Sequence, residues 1–575
     1  MAETAVSKIA LVGGGPCSLY LLKKLVEAPR KPLEVHIFER KPRLGRGMPY
    51  SQEGAGPEHL TNISPSELPQ LVTPLDDWVR ALSEESRQEF GLDLKRWDDD
   101  KVLPRLLFGV YLESQFEELI RQGEEREIAV TVHTHTRVED LRDSPKDQKV
   151  AVLFNDEWAL FDTVVICIGH RWPNKEEDPT RGFFTSPYPP RKLEGTFDHP
   201  VAIRGTSLTA LDAVRTLSRQ HGTFQRDDRG RLHYRLNPHN PAFKLVLHSR
   251  SGLLPCVRVH FEEPQVVESE LLSKSEWVEE KRKQEGFVPV DLLFEKSFLE
   301  PLADSDPALY EQIKGMSLEE FVEAALQRRK DSDPLSFFKR EYKQALASEN
   351  NQRPVPWKEA LSALSFALNY PAKHFSAEDY LRMRNYLQPL ISIVIAFIPT
   401  EAAEEIIALH ESGRLEVVKV GEKSRVERRD VGIEYHYSDS AGEAKRVEFQ
   451  TYVDGVGQPA LGLEDLPFPS LKDQNIFSPA RLRFKDDPKQ QDRDENVEQE
   501  DGAWFLTVPG IAINDSFQPI NEDGDVHPRL YMLAVPYIGG YNPDYSGLDL
   551  CNKISEIVVD SMMGVSREPE LTPRS

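Results

Sequence analysis

The chain has little cysteine and no concentrated basic segment. Its 575 residues include four cysteines, Cys17, Cys167, Cys256 and Cys551, which are spaced too widely for a disulfide framework or a thiolate metal site. No Cys-x-x-Cys pair is present, which argues against an enzyme that passes electrons to disulfides through a paired dithiol. Lys and Arg number 71 against 95 Asp and Glu, so the net charge of -24 argues against nucleic-acid binding.

Long hydrophobic runs are also lacking. The most apolar window, residues 387–399, is about 13 residues long, shorter than the roughly 20 that span a bilayer, and it reads as a buried core segment. The N-terminus runs directly into the first predicted strand, without a signal-peptide pattern. We therefore expect a cytoplasmic protein with no membrane partner. His133 and His135 alternate with threonines on a predicted strand, which favours a solvated strand edge over a ligand pair, and no metal site is predicted.

A glycine-rich turn near the N-terminus is the most informative feature. The apolar strand at residues 8–12 meets three consecutive glycines, and a helix is predicted to begin at Ser18 with its N-terminus aimed at a phosphate group. The next strand, residues 33–38, ends at Glu39, whose carboxylate can accept both hydroxyl hydrogens of an adenosine ribose. This pattern predicts a dinucleotide site, the alternative being a plain strand-turn-helix. The residues assigned to it are Gly13, Gly15, Pro16, Cys17, Ser18 and Glu39, with Arg40 and Gly47 in the basic loop that follows.

The same order of elements occurs twice in the chain. The first copy consists of a helix, a strand, a strand pair and a closing strand that ends at Gly169. The second copy has the same elements in the same order, and its closing strand covers residues 451–457. The second copy has a looser glycine turn at Gly205, with Ser207 and Leu208 opening its helix. The strand that follows leads to Arg250 where an NAD enzyme offers an acid, which favours NADPH because arginine can bind a 2′-phosphate. The alternative is that Arg250 is a solvated loop residue.

These elements predict an α/β fold with two Rossmann-like dinucleotide-binding domains, each a parallel sheet with a β-meander, plus an inserted helical subdomain. We assign residues 1–170 and 458–575 to an FAD-binding domain, 198–258 and 400–457 to an NAD(P)-binding domain, and 259–399 to the mainly helical insertion. Such an insertion suits a lid or a substrate-specific cap, the alternative being a purely structural role. Residues 484–502 read as a solvated loop.

Taken in order, these motifs resemble the FAD-NAD(P)-binding family of two-dinucleotide-domain flavoproteins, which includes flavin-dependent oxidoreductases and amino-acid N-monooxygenases. The likeness implies FAD in the first site and NADPH in the second. A helix beginning after Gly547 could face the carbonyl end of a reduced flavin. The sequence departs from many such proteins at residues 534–536, where a Gly-Asp pair is usual. The motifs that carry the likeness are residues 13–18, 47–51, 59–62, 168–170, 205–212 and 249–255.

The resemblance implies an oxidoreductase, most simply a monooxygenase that hydroxylates a small amine or amino acid through a flavin hydroperoxide. Tyr50, His59 and Asn62 are the predicted polar groups near the flavin ring. An NAD(P)H-dependent reductase without oxygen insertion and a non-catalytic FAD-binding module are the alternatives. The expected partner is a small-molecule substrate, and the sequence predicts no oligomeric state.

Overall fold

The structure is a computed structural model that describes residues 6–28, 32–95, 97–98, 101–170, 176–262, 272–369, 371–439, 441–489, 496–543 and 547–564. Across these residues, no helix is both long and apolar enough to span a membrane. The predicted α/β class with two parallel sheets and a helical region is confirmed.

The first parallel sheet contains five strands drawn from both ends of the chain. They are β1 (Ser7–Val12), β2 (Leu33–Phe38), β3 (Ile128–His133), β7 (Thr163–Ile166) and β21 (Leu530–Met532). Their order is β21-β7-β1-β2-β3, and every neighbouring pair is parallel. The C-terminal part of the chain therefore completes the sheet that the N-terminus begins.

The first helix, α1, begins at Pro16 and ends at Glu27, two residues earlier at its start than the predicted Ser18. Proline suits this first position because its fixed φ is helical and its missing N–H would have no partner there. The other elements around the first sheet are α2 (Leu75–Ala81), α3 (Glu84–Glu89), α4 (Arg105–Glu124) and the meander of β4 (Asp140–Ser144), β5 (Lys149–Phe154) and β6 (Glu157–Phe161).

The second parallel sheet repeats this arrangement. Its strands are β8 (Phe183–Phe184), β9 (Pro200–Arg204), β12 (Lys244–Ser249), β13 (Leu415–Lys419) and β17 (Thr451–Asp454), in the order β13-β12-β9-β17-β8. In both sheets the first strand lies between the second and the closing strand. The second sheet carries α5 (Leu208–His221), α15 (Thr400–Glu411) and a meander of β14 (Arg425–Arg428), β15 (Ile433–Ser438) and β16 (Ala444–Phe449).

Two small antiparallel structures were not predicted. One is the hairpin of β10 (Gly222–Arg226) and β11 (Leu232–Leu236), and the other is the sheet of β18 (Pro479–Arg483), β19 (Val497–Glu500) and β20 (Ala503–Ile511). The prediction of a solvated loop at 484–502 is therefore wrong for β19, while residues 490–495 lie outside the described residues. The prediction that His133 and His135 lie on one strand is also wrong, because the strand ends at His133 and His135 lies in a turn with a φ of 53°.

Among the described residues between 272 and 399, the chain forms helices and no strand. The window at residues 387–399 is buried as predicted, with Leu387, Leu390 and Val394 fully enclosed. The helices of this segment are α6 (Lys274–Lys283), α7 (Val290–Phe294), α8 (Glu300–Ser305), α9 (Pro307–Ile313), α10 (Leu318–Lys330), α11 (Pro334–Asn351), α12 (Pro356–Ala367), α13 (Ala377–Arg382) and α14 (Gln388–Val394); α16 (Pro469–Asp473) and α17 (Leu548–Met563) follow later in the chain.

Candidate cofactor sites

The first glycine turn is built so that only glycine fits its first position. Gly13 has a φ of +109°, and a Cβ there would stand 2.6 Å from the Cys167 carbonyl oxygen at the end of the closing strand. Its N–H donates to the Phe38 carbonyl at 2.9 Å. The turn is therefore clamped between the ends of the second and the closing strands, which leaves its outer side facing the carboxyl edge of the sheet, where dinucleotides bind in such folds.

Ser18 takes the third glycine position and is accommodated by a hydrogen bond to the turn. It is fully buried, and its hydroxyl donates to the Gly13 carbonyl. No side chain caps the N-terminus of α1, whose N-cap is Gly15, and no acid lies in its first turn. An uncapped helix N-terminus beside a glycine turn fits the diphosphate of a dinucleotide.

Glu39 is held rigidly at the tip of β2. It is 8% exposed, and its two carboxylate oxygens accept 2.9 Å hydrogen bonds from the Gly14 and Lys41 backbone N–H groups. Each oxygen keeps a further lone pair, so the carboxylate can still accept a ribose hydroxyl. The position fits the predicted contact with an adenosine ribose.

The cations of the basic loop are largely paired within the protein. Arg43 and Arg46 contact the Glu113 carboxylate at 2.9 and 2.5 Å. Arg40 and Lys41 contact Glu53 at 3.5 and 2.7 Å. Gly47 has a φ of +55°, and a Cβ there would be 3.1 Å from the Pro16 ring. The loop thus lies against the start of α1, and its four cations share two glutamates, which neutralise half of its positive charge.

The second glycine turn reproduces the first. Gly205 has a φ of +100°, its N–H donates to the His248 carbonyl at 2.7 Å, and a Cβ there would stand 2.9 Å from the Gly455 carbonyl oxygen at the end of the closing strand. Ser207 is the N-cap of α5, which begins at Leu208; no side chain caps this helix, and its first turn contains no acid. The second turn contains fewer glycines than the first, yet its backbone conformation and backbone contacts match those of the first turn.

Arg250 lies at the end of β12, exposed to solvent. Its carbonyl accepts from the Gly421 N–H at 3.1 Å, which holds it beside the end of β13. The neighbouring turn at Gly252 packs on Lys419, with 3.1 Å between the Lys419 Cβ and the position of a Cβ on Gly252. Two cations, Arg250 and Lys419, therefore border the place predicted for a 2′-phosphate.

The two closing strands end close to each other. Gly169 is exposed, and its neighbour His170 contacts the Gln458 side-chain oxygen at 3.0 Å through Nδ1. Since that oxygen only accepts, Nδ1 is the donor. His170 follows β7 of the first sheet and Gln458 follows β17 of the second, so the two carboxyl edges face a common region.

A buried ionic cluster joins the first domain to α5 of the second. Arg105, at the start of α4, donates to both Asp212 carboxylate oxygens at 2.5 and 3.2 Å. The Tyr188 hydroxyl donates to the same carboxylate at 2.5 Å. Burial alone would raise the pKa of Asp212. The positive charge of Arg105 and the other partners have a larger opposite effect, so the pKa of Asp212 is lowered overall. Asp212 is therefore a buried, ionised anchor between the domains.

His59 lies in the same interface, 1% exposed. Its Nδ1 accepts from the Gly56 N–H at 3.0 Å, so its proton is on Nε2, which is 3.1 Å from the Thr216 hydroxyl and 3.2 Å from the Asp212 carbonyl. Burial lowers the pKa of His59. The predicted flavin-side histidine is a neutral group whose Nδ1 is bound within its own loop and whose Nε2 contacts α5 across the interface.

Tyr50 and Asn62 contact different surroundings. Tyr50 is half-buried with its ring 4.9 Å from that of Phe108, and burial raises its pKa to about 12. Asn62 is exposed, and its carbonyl accepts from Arg258 at 2.7 Å, at the entry to the helical segment. Tyr50, His59 and Asn62 therefore do not form one hydrogen-bonded group, and their roles stay predictions.

The C-terminal helix begins after Gly547, its N-cap, without a side-chain cap. Asp549 lies in its first turn, so a carboxylate already occupies the positive end of the helix dipole. The neighbouring residues 544–546 lie outside the described residues. Where many flavoproteins have a Gly-Asp pair, Val535–Tyr537 forms a short 3-10 turn and Ala534 is fully buried.

Comparison with protein families bears on the first of these two sites. Residues 10–171 match a family model described as FAD-NAD(P)-binding. This segment is similar to FAD-NAD(P)-binding domains. The match confirms the resemblance inferred from the motifs and supports FAD and NAD(P) as the cofactors. Residues 273–395, within the helical segment, match a second model, the YdhS-like middle domain.

Relatives share the full length of the chain. The uncharacterized protein YdhS of Escherichia coli K12 is 27% identical over 565 residues, which cover 97% of this chain and 98% of that protein. The FAD-bound cadaverine monooxygenase DfoA of Erwinia amylovora has a TM-score of 0.45 at 11% identity, covering 100% and 99% of the two chains. The bacillithiol disulfide reductase of Staphylococcus aureus has a TM-score of 0.40 at 9% identity, covering 97% and 98%. At these TM-scores the likeness carries no conclusion about activity.

Several residues at these sites were missed. Lys419 and Tyr188 carry no motif of their own, and nothing in the sequence places them beside Arg250 and Asp212. Asp212 could have been singled out, because a carboxylate on the apolar face of α5 needs a partner wherever that helix is buried. The pairing of Cys17 with Cys551, described below, has no local signal at all.

Proposed function

We propose that the chain is an NADPH-using monooxygenase that hydroxylates a small amine or amino acid. The observation that supports it best is the matched pair of glycine turns. Gly13 and Gly205 share a positive φ, a hydrogen bond to a carbonyl at the C-terminal end of the second strand, and a close contact with the end of the closing strand. Two dinucleotide sites on one chain are what hydride transfer from NADPH to a flavin requires.

Each site would hold its dinucleotide with groups already in place. In the first, the α1 N-terminus would bind the diphosphate and Glu39 the ribose. In the second, the α5 N-terminus would bind the diphosphate, and Arg250 with Lys419 would bind the 2′-phosphate that distinguishes NADPH from NADH. FAD, when bound, supplies hydride acceptance and the reaction with oxygen.

The protein's own residues would control protons and water around the reaction. Burial raises the pKa of Tyr50 to about 12, so its hydroxyl stays protonated at neutral pH. It can donate a hydrogen bond and carries no negative charge. His59 stays neutral, since burial lowers its pKa. The choice of an amine or amino-acid substrate rests on the motif resemblance.

The test combines cofactor reduction with product analysis. The FAD-loaded protein is mixed anaerobically with NADPH or NADH, then with oxygen and a panel of amines and amino acids, and hydroxylated product is quantified by mass spectrometry. We expect NADPH to bleach the flavin band and one substrate to give product in proportion to NADPH oxidised. Bleaching without product from any substrate would instead identify a reductase. Flavin that stays oxidised with both nucleotides, in the presence of the substrate panel, would overturn the assignment of the second site.

A further inference from the structure

The fold brings together two cysteines that are far apart in sequence. Cys17 lies in the first turn of α1 and Cys551 in the first turn of α17, 534 positions later, and their Sγ atoms are 2.9 Å apart. This separation is about 0.9 Å longer than a disulfide bond. The absence of a local Cys-x-x-Cys motif therefore does not exclude a paired dithiol.

The two helices are aligned so that this contact is maintained. Lys24, seven residues after Cys17, is 3.5 Å from Glu556, five residues after Cys551. The Cys17–Cys551 contact lies near the N-termini of both helices, and the Lys24–Glu556 contact lies further along both. Therefore α1 and α17 run parallel, with their N-termini side by side. The thiols can therefore approach bonding distance through small side-chain movements, without a shift of either helix.

We propose that Cys17 and Cys551 are a site of reversible disulfide formation, oxidised by hydroperoxides, that fastens the C-terminal helix to the start of the FAD-NAD(P)-binding domain. The two sulfurs differ in access, because Cys17 is half-buried whereas Cys551 is 6% exposed. We assign Cys17, the more exposed residue, as the sulfur that is oxidised first, and Cys551 as the one that resolves the product.

The chemistry balances with the hydroperoxide as oxidant. The Cys17 sulfur attacks one peroxide oxygen, the O–O bond breaks, and a sulfenic acid and an alcohol (water, from hydrogen peroxide) are formed. The Cys551 sulfur then attacks the sulfenic sulfur, and water leaves as the S–S bond forms. Two thiols lose two protons and two electrons, and the peroxide gains them. Thiol–disulfide exchange with a small dithiol reverses the reaction.

In the reduced protein, Cys17 is mostly a protonated thiol. The hydrogen bond with Cys551 raises the pKa of Cys17 well above its ordinary value, so little thiolate is present at neutral pH and oxidation by hydroperoxides, the proposed step included, is slow. A disulfide here would close a loop of more than five hundred residues, and cross-links that close long loops constrain the unfolded chain most. The oxidised protein should consequently unfold at a higher temperature.

The test uses the full-length, FAD-loaded protein. It is reduced with dithiothreitol, freed of reductant, treated with hydrogen peroxide, denatured and labelled with a maleimide. Oxidation should lower the number of labelled thiols from four to two, lower the unlabelled mass by two hydrogens, and yield one linked peptide containing Cys17 and Cys551. Fresh dithiothreitol should restore all four thiols and the original unfolding temperature.

Two comparisons make the result decisive. Cys551→Ser should leave Cys17 as a sulfenic acid that dimedone traps, whereas Cys256→Ala, altered in a distant thiol, should still give the linked peptide. Four labelled thiols after peroxide treatment would overturn the proposal. A linked peptide that joins Cys17 to Cys167, which lies close enough to influence it, would also overturn it. The wild-type peptide map stands even if a variant fails to fold.

Discussion

Replacing Asp212 by asparagine should loosen the contact between the two dinucleotide-binding domains. Asp212 is 5% exposed, and its carboxylate accepts hydrogen bonds from Arg105 at 2.5 and 3.2 Å and from the Tyr188 hydroxyl at 2.5 Å. The neutral amide would leave the guanidinium buried without its counter-charge. Breaking a buried ion pair by removing one partner costs about 3–5 kcal/mol, so we expect Asp212→Asn to lose about that much.

Two further variants separate the charge from the packing. Tyr188→Phe removes one hydrogen bond to a charged group, which is worth about 1.5–3 kcal/mol, and should therefore be milder. The double variant Arg105→Met with Asp212→Leu removes both charges and should recover most of the loss, because apolar replacements of a buried pair are often neutral. Calorimetric unfolding gives the stability of each variant, and hydrogen exchange across α4 and α5 locates the change.

The pH dependence supplies an independent check. Because the folded pKa of Asp212 lies below its unfolded value, the stability it contributes is fully present above the unfolded pKa of about 3.9 and is lost as the pH falls through the folded pKa. The wild type and Asp212→Asn should thus differ by a constant amount between about pH 5 and 8. An asparagine variant as stable as the wild type, or a double variant no better than the single one, would refute this account of the cluster.

Three further changes test the cofactor sites and the helical segment. Gly13→Ala should abolish FAD retention, measured by absorbance, because its Cβ would meet the Cys167 carbonyl at 2.6 Å, whereas Gly91→Ala, with a φ of +65° and open space, should retain FAD. Arg250→Ala should raise the KM for NADPH at least about tenfold in steady-state assays and leave that for NADH unchanged. Glu341→Gln should cost about 3–5 kcal/mol in calorimetric unfolding, because two buried cations in the helical segment share that carboxylate.

The sequence predicted the features that depend on local pattern. The strands at residues 8–12 and 33–38 are largely apolar runs of the right length, and each forms a strand. The duplication was also visible, because each copy repeats a helix, a strand, a strand pair and a closing strand. Local periodicity and the order of elements were thus sufficient for the fold class.

Long-range pairing accounts for what was missed. Glu113 lies on α4, about seventy positions from the arginines of the loop that it neutralises, and no local pattern links them. The thiol pair of Cys17 and Cys551 spans nearly the whole chain. By contrast, the hairpin β10–β11 did carry a local signal, because Leu232, Tyr234 and Leu236 alternate with the exposed His233 and Arg235, and this signal was overlooked.

The second glycine turn shows why counting glycines within a turn underestimates such sites. Ala210 occupies its third position, and room for that residue comes from the closing strand, where a Cβ on Gly455 would stand 2.7 Å from the Ala210 Cα. In the first turn Ser18 is accommodated differently, through its hydrogen bond to Gly13. Because close approach is a property of a pair of segments, a glycine on either one satisfies it. A turn with one glycine and a closing strand that supplies another is therefore equivalent, in backbone terms, to a turn rich in glycine.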